Sequence, residues 1–214
     1  MVLEEAKRIR KILAKLKLCC ESVVLDIGSS SEKFRCVDQP YIDYYVFRPL
    51  RKIGAKIIHI DIKKEKGVDI VCDLASSETE ELIKTIPPAD VVLCTSLLEH
   101  VNNREIVLSR IRNLTKPGGT IILTVPYVFH YHPDPIDTGY RPSNTELECL
   151  FPKEQYTILT SEILEAYSYP SAIKQNLFAK ILNKVLRKFN FEGKCKRYIV
   201  IPSKISLVVV KKNR

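Results

Sequence analysis

The chain has 214 residues, 45% apolar and 28% charged, with a formal charge of +9 from 34 basic and 25 acidic side chains. That length suits one domain with a substantial core, and the close mixing of both charge signs with apolar runs excludes a disordered chain. No stretch of about 18 apolar residues is present to span a membrane, and the N-terminus lacks the pattern of a secretory signal, so the expected location is the cytoplasm.

In chain order, residues 4–17 set Ile9, Ile12, Leu13 and Leu16 at helical spacing opposite Lys and Arg, which predicts an amphipathic helix within the segment 1–18. Five short runs rich in β-branched residues then read as strands buried on both faces: SVVLDI (22–27), AKIIHI (55–60), VDIVC (68–72), ADVVLCT (89–95) and GTIILTV (119–125). Residues 35–54 read as an insertion forming part of a lid or substrate wall. Helical segments are expected at 80–86 and at 103–115, where Ile106, Val107, Arg110, Ile111 and Leu114 make a face, and KPGG (116–119) reads as a sharp turn. The segment 127–150 follows as a substrate-side loop, with Pro126, Pro133, Pro135 and Pro142 arguing against a helix. QYTILT (155–160) and KISLVVVKK (204–212) read as further strands. Between them, 172–190 predicts an inserted basic amphipathic helix that packs on the sheet or forms a homodimer interface, with a membrane surface as the weaker alternative. Strands alternating with helices imply right-handed crossovers, and so an α/β domain over 1–214 with a mostly parallel sheet and helices on both faces.

The seven cysteines are scattered, which argues against a disulfide framework, and no pair has metal-ligand spacing; most read as buried reduced thiols. The positive excess lies near the ends, in KRIRKILAKLK and KVLRKFNFEGKCKR, without interleaved aromatics on the basic face. It keeps nucleic acid as an alternative partner to a small molecule.

In an open parallel sheet the ligand sits outside the carboxyl ends of the strands. Here those ends carry Asp26-Ile27-Gly28-Ser29-Ser30, then Asp61, then Asp73, then Thr95-Ser96. Neither G-x-x-x-x-G-K-[ST] nor G-x-G-x-x-G occurs, so no phosphate cradle is indicated. One glycine behind an acid suits a ligand with a positive or zwitterionic group, such as an amino acid moiety. An acid ending the second strand is placed to accept hydrogen bonds from a ribose diol, which leaves dinucleotide binding as an alternative.

The ordered series VVLDIGSS, IIHIDI, VCDL, ADVVLCTSLLEHV and LTKPGGTIILTVP, over residues 22–126, resembles the class I methyltransferases dependent on S-adenosylmethionine, of the type 11-like kind. YHPDPIDTGYRPS (131–143) is similar to a stretch found in members linked to polysaccharide and glycoside modification. The resemblance implies a Rossmann-like, doubly wound, seven-stranded sheet with an antiparallel C-terminal strand. It places Asp26, Gly28 and Ser30 around the amino acid part of S-adenosylmethionine, Asp61 on both ribose hydroxyls and Ile62 against the adenine. Asp73 and Leu74 would meet the edge and face of the adenine, and Thr95, Ser96 and Leu97 would close beside the methionine portion. Two departures stand out: Ser30 replaces the second glycine of D-x-G-x-G, and the interval from Asp26 to Asp61 exceeds the roughly 20 residues expected by analogy with dinucleotide folds.

Methyl transfer from a sulfonium asks chiefly for alignment, and for a base only where the acceptor must lose a proton. The expected reaction is methylation of a small-molecule or saccharide-like acceptor, at oxygen in preference to nitrogen. His132 or His130 is the candidate base, with Arg141 holding an anionic or polyhydroxyl part and Tyr127, Asp137 and Tyr140 as further substrate-binding residues. The competing reading has His132, Asp137 and Arg141 fixing the loop internally. His-x-His-x-Asp has ligand types but no diagnostic frame, so no metal is expected. His100 reads as a structural residue at a helix start. An RNA or other nucleic-acid methyltransferase and a non-catalytic binding subunit of the same fold are the alternatives. Against the first, the fourth strand ends in CTSLLEH and not in the Asn/Asp-Pro-Pro-aromatic used on exocyclic amines.

Overall fold

The β-branched runs pair as strands because their side chains are apolar on both faces and find a helix layer on each. In the computed structural model, which describes residues 1–168 and 201–213, the first helix, α1 (Leu3–Leu13), is shorter than the sequence pattern and turns before β1 (Val23–Ile27). A helical crossover of α2 (Pro40–Ile42), α3 (Arg48–Lys52) and two wide turns, Phe34–Asp38 and Asp43–Phe47, returns the chain to β2 (Lys56–Asp61). β3 is only Ile70–Val71; α4 (Glu80–Lys84), β4 (Ala89–Thr95), α5 (Arg104–Leu114) and β5 (Thr115–Val128) follow. The chain then passes through α6 (Asn144–Glu148), β6 (Tyr156–Ser168) and β7 (Ile201–Lys212). The expected helix over 172–190 and Cys195 lie outside the described residues.

The seven strands form one sheet in the order β3-β2-β1-β4-β5-β7-β6. β1 pairs in parallel with β2 and β4, and β4 with β5, while β7 runs antiparallel to both β5 and β6. This is the doubly wound, Rossmann-like sheet with a reversed C-terminal strand that the resemblance implies. Period-two alternation divides the core: Val24, Val91, Leu93, Ile122, Leu207 and Val209 face α1 and the crossover, through Ile9, Phe47 and Leu50. Leu25, Ile27, Val92, Cys94, Ile121 and Val208 face the opposite layer, through Ile83, Val107, Ile111 and Leu114. Helices thus cover both faces, as a parallel sheet requires.

Three local expectations change. Residues 35–54 are the β1–β2 crossover itself, not an insertion, because Ile42, Val46, Phe47 and Leu50 are buried against the sheet; Phe34, Arg35, Gln39 and Tyr41 nevertheless form a wall of the cleft described below. KPGG is an irregular opening of β5, where the register with β4 slips between Ala89 and Val91. A Cβ on Gly119 would lie 2.9 Å from the Lys116 carbonyl oxygen and 3.0 Å from that of Ala89, which is why the bulge takes glycine. Among the described residues Cys19, Cys20, Cys36 and Cys149 are exposed and Cys72 and Cys94 buried; the exposed four fall in turns and helix ends, not in strands. No helix among the described residues is long and apolar enough to cross a membrane.

Candidate active site

The carboxyl ends of β1, β2, β3 and β4 open into one cleft of about 1200 Å³, and Asp26, Asp61 and Asp73 all line it. Gly28, Ser30, Ile62, Leu74, Thr95, Ser96 and Leu97 line it as well. Its volume exceeds the range of about 300–1,000 Å³ usual for a single small ligand and leaves room for two.

The loop after β1 is held from three sides. The N–H groups of Gly28 and Ser29 donate to the Ile60 carbonyl at 2.9 and 3.1 Å. Ser30 donates its N–H to Asp61 Oδ2 at 2.7 Å, and Lys63 donates its N–H to Asp61 Oδ1 at 2.9 Å. Arg35, 4% exposed, donates to the carbonyls of Ser29 (2.8 Å), Ser30 (2.6 Å) and Gly67 (2.6 Å). Gly28 sits at φ +73° and Ser30 at φ +54°. Ser30 therefore adopts the left-handed backbone that the family's second glycine would take freely, at a conformational cost of about 1–2 kcal/mol. Ser96 repeats this at φ +51° after β4. At Gly28 the strain would be compounded, since an added Cβ lies 2.9 Å from Leu97 Cδ1. Gly28→Ala is expected to lower stability by about 1–2 kcal/mol, with a matching drop in the urea midpoint; an unchanged midpoint would mean that the loop relaxes freely.

Asp26 is 4% exposed and lies with Oδ2 2.8 Å from His59 Nδ1, its cross-strand neighbour in the β1–β2 register. Asp73 Oδ1 accepts the Ala75 N–H at 2.8 Å, and Arg110 of α5 donates to the carbonyls of Leu74 and Ser76, both at 2.8 Å, fixing that turn. The sequence gives no sign of His59, Arg35 or Arg110 in these roles: each acts on a partner set by register or crossover geometry. A nucleoside joined to an amino acid fits this donor set. Both Asp61 oxygens keep lone pairs beyond their one backbone donor each, the apolar side chains of Ile62 and Leu74 lie beside it, and the glycine loop presents backbone where a side chain would intrude.

The far wall comes from the loop after β5, where Phe129, His130, His132 and Asp134 line the cleft. Phe129 stacks on His130, ring centroids 4.5 Å apart. Lys63 reaches across to both Asp134 oxygens at 2.8 and 2.9 Å, tying this loop to the end of β2. Tyr127, Asp137, Tyr140 and Arg141, expected to bind substrate, stand outside the cleft wall. Asp137, its side chain fully buried, accepts from Arg141 at 2.6 and 3.0 Å, from the His132 N–H at 3.0 Å and from the Gly139 N–H at 2.9 Å. Burial works to raise its carboxyl, but Arg141 and those N–H groups outweigh it and hold it well below the usual range. The Arg104 guanidinium lies 4.3 Å from the centre of the Tyr140 ring. The geometry thus matches the competing reading, in which His132, Asp137 and Arg141 fix the loop.

Burial lowers His130, and the charges of His132 and Arg141 add to the effect. Burial also pulls on His132, but Glu99, the His130 carbonyl and Asp137 together raise it. Glu99 was not singled out in the sequence. It is fully buried, its two carboxylate oxygens make no hydrogen bond, and Oε1 lies 3.7 Å from His100 Nε2 and 3.8 Å from His132 Nε2. His100, in the short turn Leu98–His100, also lines the cleft.

A sheet of this order with β7 reversed, and acids ending β1, β2 and β3 around a shared cleft, defines the class I methyltransferase type of architecture. The sequence profile of the family described as Methyltransferase domain (Methyltransf_23) matches residues 4–192, and the chain belongs to that family. Solved structures share the fold at low identity. A Bacillus halodurans chain assigned to the methyltransferases is 11% identical, with a TM-score of 0.59, 96% of this chain and 99% of that chain being covered. A SAM-dependent methyltransferase from Archaeoglobus fulgidus is 19% identical, with a TM-score of 0.52 and coverage of 97% and 93%. The Burkholderia thailandensis 1,6-didemethyltoxoflavin-N1-methyltransferase, solved with 1,6-didemethyltoxoflavin and S-adenosylhomocysteine, is 14% identical, with a TM-score of 0.52 and coverage of 99% and 78%. No curated protein matches the chain significantly.

Proposed function

We propose that this methyltransferase uses S-adenosylmethionine to methylate a small-molecule or saccharide-like acceptor in the cytoplasm, at oxygen in preference to nitrogen. The observation that carries the reading is the convergence of Asp26, Asp61, Asp73 and the 28–30 loop on one cleft that continues to a wall of aromatic and histidine side chains. The S-adenosylmethionine dependence named for the A. fulgidus neighbour and the S-adenosylhomocysteine bound in the B. thailandensis one support it.

When bound, S-adenosylmethionine supplies a methyl group already activated on a sulfonium. The chain's part is to bind and align. Asp61 accepts the ribose hydroxyls, Ile62 and Leu74 flank the base, Asp73 meets its polar edge, and Asp26 with the 28–30 loop receives the amino acid end. Thr95, Ser96 and Leu97 close the methionine side. Phe129 and the prolines of the far wall keep water from the acceptor. His130 lines the cleft and, on this reading, takes the proton of an acceptor hydroxyl.

The test is calorimetry with S-adenosylhomocysteine, followed by label transfer from S-adenosylmethionine to hydroxyl, amine and RNA acceptors. Absence of S-adenosylhomocysteine binding would overturn the reading, and labelling of RNA alone would replace it with the nucleic-acid alternative. His130→Ala is expected to lower kcat about 10²–10⁴-fold with S-adenosylhomocysteine affinity unchanged; an unchanged kcat would remove the base assignment.

A further inference from the structure

We propose that Glu99, His100 and His132 form a binding site for one divalent transition-metal ion at the margin of the cleft. The three side chains come from two segments, Glu99 and His100 from the turn after β4 and His132 from the loop after β5, and one potential ligand atom from each lies within 4.8 Å of the others. Glu99 is the independent sign of a ligand. A carboxylate with no exposure and no hydrogen-bond partner is costly to bury, and such groups are normally paired or coordinate a metal.

The histidines are oriented as metal ligands are. His100 Nδ1 lies 2.5 Å from the Ile136 carbonyl oxygen and His132 Nδ1 lies 3.0 Å from the His130 carbonyl oxygen, so in each ring Nδ1 carries the hydrogen and donates it. In the neutral rings that leaves a lone pair on each Nε2, and both Nε2 atoms face Glu99 Oε1, at 3.7 and 3.8 Å. Backbone carbonyls that fix the ring and its tautomer are the usual outer partners of metal-bound histidine. With both rings neutral, three acceptor atoms would surround one point, an arrangement that either a proton on Nε2 or a bound cation relieves.

The spacing agrees with this. Ligand atoms bonded at about 2.0–2.1 Å and tetrahedrally arranged stand roughly 3.4 Å apart. Separations of 3.7 and 3.8 Å are slightly wider than that and longer than an ordinary imidazolium–carboxylate hydrogen bond. Two imidazoles and one carboxylate suit zinc, manganese, iron(II), cobalt or nickel and do not suit magnesium or calcium, which prefer all-oxygen sets. The set joins residues 32 positions apart, which is why neither LLEHV nor HYHPD announced it alone.

His100 and His132 line the cleft, so coordination positions left by three protein ligands open toward it. There an acceptor hydroxyl bound through its oxygen would lose its proton to His130 more readily, the O–H pair staying on the metal-bound oxygen. That role rests on the methyltransferase reading; the site itself does not.

The experiment is calorimetric titration of chelator-treated full-length protein with ZnCl2, MnCl2 and MgCl2, with S-adenosylhomocysteine titrated in parallel. Saturable 1:1 binding of zinc or manganese is expected, weakened at least 100-fold in His132→Ala and in Glu99→Gln and unchanged in Tyr131→Ala, whose side chain is 70% exposed in the same loop. Cobalt(II) should give a visible ligand-field spectrum that is lost in His132→Ala. Should Glu99→Gln fail to fold, His132→Ala decides. No saturable binding by the wild type, or equal binding by His132→Ala, overturns the proposal. Metal binding without S-adenosylhomocysteine binding would remove the methyltransferase reading and leave the metal site standing; the reverse would do the opposite.

Discussion

Asp61→Ala should weaken S-adenosylhomocysteine binding about 150-fold. The two ribose hydroxyls would each donate to a charged acceptor, and two such bonds at about 1.5 kcal/mol apiece give about 3 kcal/mol. The carboxylate is only 8% exposed and already fixed by the N–H groups of Ser30 and Lys63, so it reaches the ligand without further ordering. The same substitution leaves the Ser30 N–H without its partner and loosens a residue held at φ +54°. Some loss of stability should therefore accompany the loss of affinity. Asp61→Asn keeps a carbonyl oxygen and loses the charge, and should fall between the two; should the alanine variant not fold, the asparagine variant carries the test. Calorimetry is the measurement, and an affinity within three-fold of wild type in either folded variant would sink the assignment of Asp61 to the ribose.

Arg35→Ala is expected to cost about 3 kcal/mol of stability, which for a chain of this size lowers Tm by about 6–12 °C. A buried guanidinium that donates to three carbonyls on two loops cannot be replaced by water without opening the structure. Arg35→Lys should recover little, because one ammonium cannot span the Ser29, Ser30 and Gly67 carbonyls together. Binding of S-adenosylhomocysteine should fall as well, since the carbonyls of Ser29 and Ser30 would lose the brace that fixes the turn after β1. A Tm within about 2 °C of wild type would show that the loop is held by Asp61 and Ile60 alone.

The rim of the cleft was legible in the sequence. Asp26, Gly28, Asp61 and Asp73 each fall within or just beyond a short β-branched run, and in a parallel sheet the end of a run is also a place in space. The departure at Ser30 was visible too, though only its φ shows that serine takes the glycine conformation and does not abolish the turn. The substrate side was not legible in the same way. In the loop after β5 there is no repeat from which to read side-chain direction, so Tyr127, Asp137, Tyr140 and Arg141 resembled substrate ligands while Asp137 and Arg141 in fact pair with each other.

Chain order, strand identity and the rim of acids were determined by the sequence itself, because burial on two faces imposes a local pattern that needs no distant partner. Only the tertiary structure decided which side chains meet: Asp26 with His59, Lys63 with Asp134, and Glu99 between His100 and His132. Except for the adjacent Glu99 and His100, those meetings join residues 33 or more positions apart. They depend on strand register and loop closure, which are properties of the folded whole and leave no periodic trace along the chain.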